Sequence, residues 1–212
     1  TSSGYIMVLK HDSDGISDED MWKQLQKEYK DKYDMSWIGQ YGFNNTYALI
    51  IREEAAKKYN LTKTSQLADV SDELVFGGNS DYIERKDGFH LLCDTYGLKF
   101  KDVKDIDIGL KYEALKKGDI DVSNGFTTDA QLSNDNVRVL EDDKHLQVNY
   151  FCSNVVRNDT LKSHPGLEEA IMKLDNSITD KEMASLNYKV EVEGKEDVQV
   201  AKDYLTEKGI IK

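Results

Sequence analysis

The chain has 212 residues, 39% of them apolar and 32% charged, which is enough for one large domain or two small lobes and is not the composition of a disordered chain. A formal charge of −12 with no basic stripe argues against nucleic acid, whose phosphates need Lys and Arg to neutralise them. No apolar run approaches the roughly 18 residues of a membrane span, and the first residues show neither the basic nor the apolar region of a signal peptide.

In chain order, Ser17 to Tyr33 reads as a helix. Ser17 and Asp20 have capping-box spacing, and Met21, Trp22, Leu25 and Tyr29 recur at helical intervals. Met35 to Ile38 is a short strand. Gly42-Phe43-Asn44-Asn45 is a turn that feeds an apolar strand beginning near Tyr47, the kind of loop-to-strand junction where small-molecule sites sit. Arg52 to Tyr59 is a helix with acidic residues first and lysines last, which suits its dipole. Thr64 or Ser65 caps a turn through Ala68. Glu73 to Phe76 is a strand stopped by Gly77-Gly78-Asn79, and Asp87 to Tyr96 is a helix ended by Gly97. Ile108 to Lys117 is a helix ended by Gly118, and Asp119 to Val122 is the strand that follows, an α/β pattern. Val137 to Leu140 and Tyr150 to Val156 are further strands. Pro165 starts a helix through Leu174, Thr179 with Glu182 caps another to Asn187, and Val198 to Lys208 is the last, closed by Gly209.

Catalysis is not expected. His11, His90, His145 and His164 stand in unrelated contexts, and the chain has no nucleophile elbow, phosphate-binding loop or metalloprotease helix. Cys93 and Cys152 lack zinc spacing and read as two free thiols, with a disulfide left open because sequence cannot place their Cα atoms. The acidic pairs Asp119/Asp121 and Asp142-Asp143 read as a strand edge and a solvated turn. No metal, cofactor or enzymatic activity is therefore expected.

Five stretches in order carry a family resemblance: Gly42-Phe-Asn-Asn-Thr-Tyr-Ala-Leu49, Ile108 to Val122, Thr127-Thr128-Asp129, Leu140 to His145 and Glu182 to Tyr188. Together they resemble the substrate-binding domain of glycine betaine/choline ABC importers, over the whole chain. The resemblance implies a type II periplasmic-binding-protein fold, in which two α/β lobes joined by two crossovers close on a ligand between them. Residues 43–134 would form lobe 2, and residues 1–42 and 135–212 lobe 1. Family members carry a further strand-helix-strand portion before the equivalent of Thr1, so lobe 1 is expected to be incomplete and a partner segment or a homodimer through that lobe is expected. The implied function is extracytoplasmic capture of a quaternary-ammonium solute (glycine betaine, choline or carnitine) and its delivery to an ABC permease. The domain would be lipid-anchored, free or fused to the permease. The alternatives are a ligand-sensing or interaction domain of the same fold, or a binder of another trimethylammonium solute such as ergothioneine.

A trimethylammonium group is a cation without hydrogen-bond donors, and aromatic faces hold it at about 0.5–2 kcal/mol per ring. By resemblance, Tyr47, Phe126 and Tyr150 match ring positions of the family's aromatic cage, and Ser3 matches a hydroxyl residue that contacts the ligand tail. Tyr82, and beside it Arg85, lie in a further matching segment. Asn44 is a candidate contact that also suits a turn. Thr128 is a candidate contact that, with Asp129, holds the loop presenting Phe126. The chain departs from the family at His145 to Asn154, where two prolines that normally stiffen the segment before the Tyr are absent, so Tyr150 is expected to be less preorganised.

Overall fold

The computed structural model describes residues 1–13, 15–85, 88–133 and 136–212. From the start of the chain come α1 (Asp18–Tyr33), β1 (Met35–Ile38), β2 (Tyr47–Arg52), α2 (Glu53–Tyr59), β3 (Val75–Gly78), α3 (Ser80–Glu84), α4 (Phe89–Tyr96) and β4 (Asp102–Asp105). There follow α5 (Lys111–Lys117), β5 (Val122–Phe126), β6 (Val137–Leu140), β7 (Asn154–Arg157), α6 (Asn158–Ser163), α7 (Leu167–Met172), α8 (Asp180–Glu191) and α9 (Asp197–Glu207). The expected helix start at Asp87 and the expected lobe boundary at Asn134 lie outside the described residues.

The backbone divides into two compact units, Thr1–Thr46 with Val148–Lys212, and Tyr47–Gln147. The sequence reading assigned residues from 135 onward to the first lobe. However, β6 pairs antiparallel with β2, from Leu49↔Leu140 to Arg52↔Val137, and this pairing holds the segment in the second unit.

The second unit is built on a mixed sheet of strand order β4-β3-β5-β2-β6, parallel from β4 to β5 and antiparallel across β2. Ala48-Leu49-Ile50-Ile51 is an unbroken apolar run because both faces of this sheet are covered. Leu49 and Ile51 face a core with Phe76, Tyr82, Phe89, Leu92, Tyr96 and Val122, while Ala48 and Ile50 face Leu115 and Ile120.

Gly77 and Gly78 do not stop the strand; they belong to β3. A Cβ on Gly77 would stand 2.6 Å from Ile120 Cδ1, so the missing side chain lets the opposite layer close in. β5 begins at Val122, where the sequence reading ended it. Asp121 precedes it as a hydrogen-bond centre rather than a strand edge, accepting from Arg52 Nε at 2.6 Å and from Val75 N at 2.9 Å. Asp142 likewise does more than turn in solvent. Its carboxylate accepts from the Tyr96 hydroxyl and from Leu146 N and Gln147 N, and burial together with this carboxylate pushes the tyrosine's pKa up. Helix α5 starts at Lys111 instead of Ile108, because Asp107 Oδ1 accepts from Gly109 N at 2.8 Å and makes a turn there. β4 had no sequence signal: each of its residues is exposed, and it pairs only along one edge.

In the first unit, Ser17 Oγ accepts from Asp20 N, and Met21, Leu25 and Tyr29 of α1 bury against Tyr5, Leu9 and Trp37. β1 and β7 pair antiparallel, from Met35↔Arg157 to Ile38↔Asn154. β7 therefore starts at Asn154 rather than Tyr150, and the preceding segment makes the isolated Asn44↔Phe151 bridge and single hydrogen bonds such as Tyr41 N to Cys152 O instead of a strand. Pro165 and Gly166 separate α6 from α7 instead of opening one helix, with Gly166 at φ +89°. The Thr179/Glu182 capping box is complete at the head of α8. Both cysteines are free thiols, and burial pushes Cys93 up to about 11. Among the described residues no helix is long and apolar enough to cross a membrane.

Candidate ligand-binding site

In the second unit the antiparallel register of β2 on β5 sets Tyr47 directly opposite Phe126. Their rings stack with centroids 4.9 Å apart at 25°, and Tyr82, carried in by α3, lies 5.5 Å from Tyr47 at 49°. Tyr82 is buried, whereas Phe126 is 37% exposed and offers its ring to solvent. At 4.9 Å, Tyr47 and Phe126 touch each other. That spacing leaves no room for a cation between the rings; only the outer face and the edges of the pair are open to one, within the roughly 6 Å of a centroid that a cation–π contact needs.

The loop behind Phe126 is held by Asp129. Its Oδ2 accepts from Phe126 N at 3.1 Å, Tyr112 OH at 2.5 Å and Lys111 Nζ at 3.2 Å, while Asp129 N donates back to Phe126 O at 3.0 Å. Lys111 is almost wholly buried, and its paired carboxylate compensates the desolvated cation. Thr128 is buried in the same loop. Lys111 and Tyr112 escaped the sequence reading. Their signal was faint: a Lys-Tyr pair opening a helix, with the acceptor far along the chain.

In the first unit Asn44 uses both ends of its side chain. Oδ1 accepts from Tyr150 N at 2.6 Å, Nδ2 donates to Asn149 Oδ1 at 2.7 Å, and its backbone N donates to Asp180 Oδ1 at 2.7 Å. Asn45 N donates to Tyr150 O at 3.2 Å, and Thr46 Oγ1 to Val148 O at 2.7 Å. Asn149 Nδ2 donates to Asp18 Oδ2 at 2.7 Å. In the segment that lacks the expected prolines, Tyr150 is tied to Asn44 and Asn45 by these hydrogen bonds. Ser3 is exposed at the head of the Gly4–Val8 turn. It is the neighbouring Ser2, fully buried, whose hydroxyl donates to the Asn149 carbonyl. The structure thus brings Tyr47, Tyr82 and Phe126 together in one unit, with Thr128 in the loop behind them, and Asn44 and Tyr150 together in the other. Among the described residues no group of His, Cys, Asp and Glu could hold a metal.

The profile of the family described as the substrate binding domain of ABC-type glycine betaine transport systems matches residues 4–207. The chain is 35% identical to the ergothioneine transport permease/ergothioneine binding protein EgtU of Helicobacter pylori (strain G27), over 99% of this chain and 37% of that protein. It is 36% identical to the carnitine transport binding protein OpuCC of Listeria monocytogenes serotype 1/2a (strain 10403S), over 85% of this chain and 59% of that one. The chain thus spans well under two thirds of the length of these relatives. Among solved structures, a glycine betaine/carnitine/choline ABC transporter protein superposes with a TM-score of 0.91 at 35% identity, covering 98% of this chain and 76% of that one. Apo YehZ superposes with a TM-score of 0.83 at 22% identity, over 99% of this chain and 79% of that one. The α/β fold is that of the periplasmic-binding-protein structures.

Proposed function

Because the chain belongs to the family of substrate-binding domains of ABC-type glycine betaine transport systems, we propose that it captures a quaternary-ammonium solute outside the cytoplasm and hands it to an ABC permease. The observation that carries this reading is the stacked Tyr47–Phe126 pair, backed by Tyr82 and presenting an exposed ring face. Such a face attracts a trimethylammonium head without a counter-ion, at about 0.5–2 kcal/mol per ring. In this reading Thr128 is a further contact residue of the second unit, and Tyr150, held by Asn44, and Ser3 are those of the first. The domain works as a binding protein, not an enzyme, and is anchored to the membrane or joined to its permease.

Glycine betaine, choline and carnitine are the first candidates. Ergothioneine is the second reading, favoured by one observation: the ergothioneine-binding relative matches 99% of the chain, against 85% for the carnitine-binding one. Isothermal titration with each of the four compounds tests the proposal. Binding by one of them, lost in Phe126→Ala and Tyr150→Ala, supports it. Four flat titrations on a folded protein would sink it.

A further inference from the structure

Among the candidate residues, the sequence reading passed over Asn124. Strand β5 alternates its side chains, so Val122, Asn124 and Phe126 point to one face of the sheet. Val122 is fully buried in the apolar core of that face, and Phe126 bears the exposed ring. Asn124 lies between them, 8% exposed and opposite Leu49 of β2. A polar residue in this position breaks an otherwise apolar row.

Among the described residues, Asn124 Oδ1 is buried and has no hydrogen-bond partner. On the neighbouring strand β3 has glycine, and the Asn124 amide and the Phe76 ring take up the room that a side chain there would fill. A Cβ on Gly78 would stand 3.0 Å from Asn124 Oδ1 and 2.9 Å from Phe76 Cε1. Leucine is close in shape to asparagine and would fill the same place with no polar atom left over. A buried amide without a partner is costly, and native proteins keep few of them without a use.

We propose that Asn124 is a ligand-contacting residue, the hydrogen-bonding partner of the ligand's polar tail. This rests on the reading that a quaternary ammonium head sits on the Tyr47–Phe126 rings. Two residues along a strand span about 7 Å, so a ligand whose head lies on the Phe126 ring can direct its tail toward Asn124. An asparagine amide offers both a donor and an acceptor, and a half-turn about its last torsion exchanges them. It therefore suits a carboxylate, a hydroxyl or an N–H. The ligand class this assigns is a quaternary amine with a hydrogen-bonding tail, distinguished from a bare tetraalkylammonium ion.

The test compares the tailed amines glycine betaine, choline, carnitine and ergothioneine with tetramethylammonium, on the unaltered protein, Asn124→Leu and Asn124→Ala. The expected result is a tenfold or greater loss of affinity for the tailed ligand in both variants, with tetramethylammonium binding changed less than twofold. The ligand-free Asn124→Leu protein is expected to melt at or above the temperature of the unaltered one. Equal losses for tailed and tailless ions, with a lower melting temperature, would make Asn124 a structural residue and overturn the inference alone. Undiminished binding of the tailed amines in both variants would overturn it as well. If the unaltered protein binds neither class, the reading of the rings as a cation site falls, and this inference falls with it.

Discussion

Asn44 is where a single side chain holds a candidate site residue, Tyr150, through its backbone amide. Replacing it by Ala leaves the Tyr150 amide and the Asn149 side chain without their partner, which costs about 1–3 kcal/mol for a buried group. We expect Asn44→Ala to lower the urea midpoint and to weaken solute binding, because Tyr150 is no longer fixed. Glu28 is the clearest titrating residue. Hydrogen bonds from Lys32 first, then Gln24, then His11, hold its carboxyl at about 2 against an ordinary 4.5. A carboxyl whose folded pKa is depressed contributes stability above its unfolded value, and that stability is lost as the pH falls from about 4.5 toward 2. Glu28→Gln is therefore expected to be less stable at neutral pH and to lose less between pH 5 and 2, read as urea midpoints along a pH series. Tyr47 could be read from its motif alone. The clamping role of Asn44 could not, because its partners lie far away in sequence.

Helices announced themselves better than strands. The Ser17/Asp20 and Thr179/Glu182 caps lie within one turn of sequence, and both formed where the spacing placed them. Thr179→Ala is expected to cost about 1 kcal/mol, measured as a shift in chemical denaturation midpoint. Strand limits depended on neighbours. Gly77 reads as a breaker, yet it is an interior strand residue because Ile120 and Ile106 press against its Cα. Gly77→Ala is expected to destabilise by about 1–3 kcal/mol through overpacking, seen as a lower melting temperature. β4 shows the converse: with no buried side chain it has no apolar alternation to read, and its pairing with β3 alone makes it a strand.

At the scale of the molecule, the chain crosses between its two units at 46/47 and again at 147/148, and each unit has its own apolar core. Scanning calorimetry without ligand is expected to give a calorimetric enthalpy above the van't Hoff value, because separate cores melt separately. A bound solute should shift the transition upward. At 100 times its dissociation constant it should add about 2.7 kcal/mol of stability. An unchanged scan would mean that the solute does not bind the folded protein.

The sequence by itself determined the class of molecule. Alternating helices and short apolar strands specified an α/β fold, and motifs spread along the chain specified the family, because both signals are local and survive without coordinates. Tertiary structure alone decided that Tyr47 faces Phe126, that Asp129 and Lys111 brace the loop beneath that ring, that Asn44 ties down Tyr150, and that the Asn124 amide oxygen is left without a partner among the described residues. The reason is that strand register and buried hydrogen bonding join residues tens of positions apart, and no local pattern records which partner each will meet.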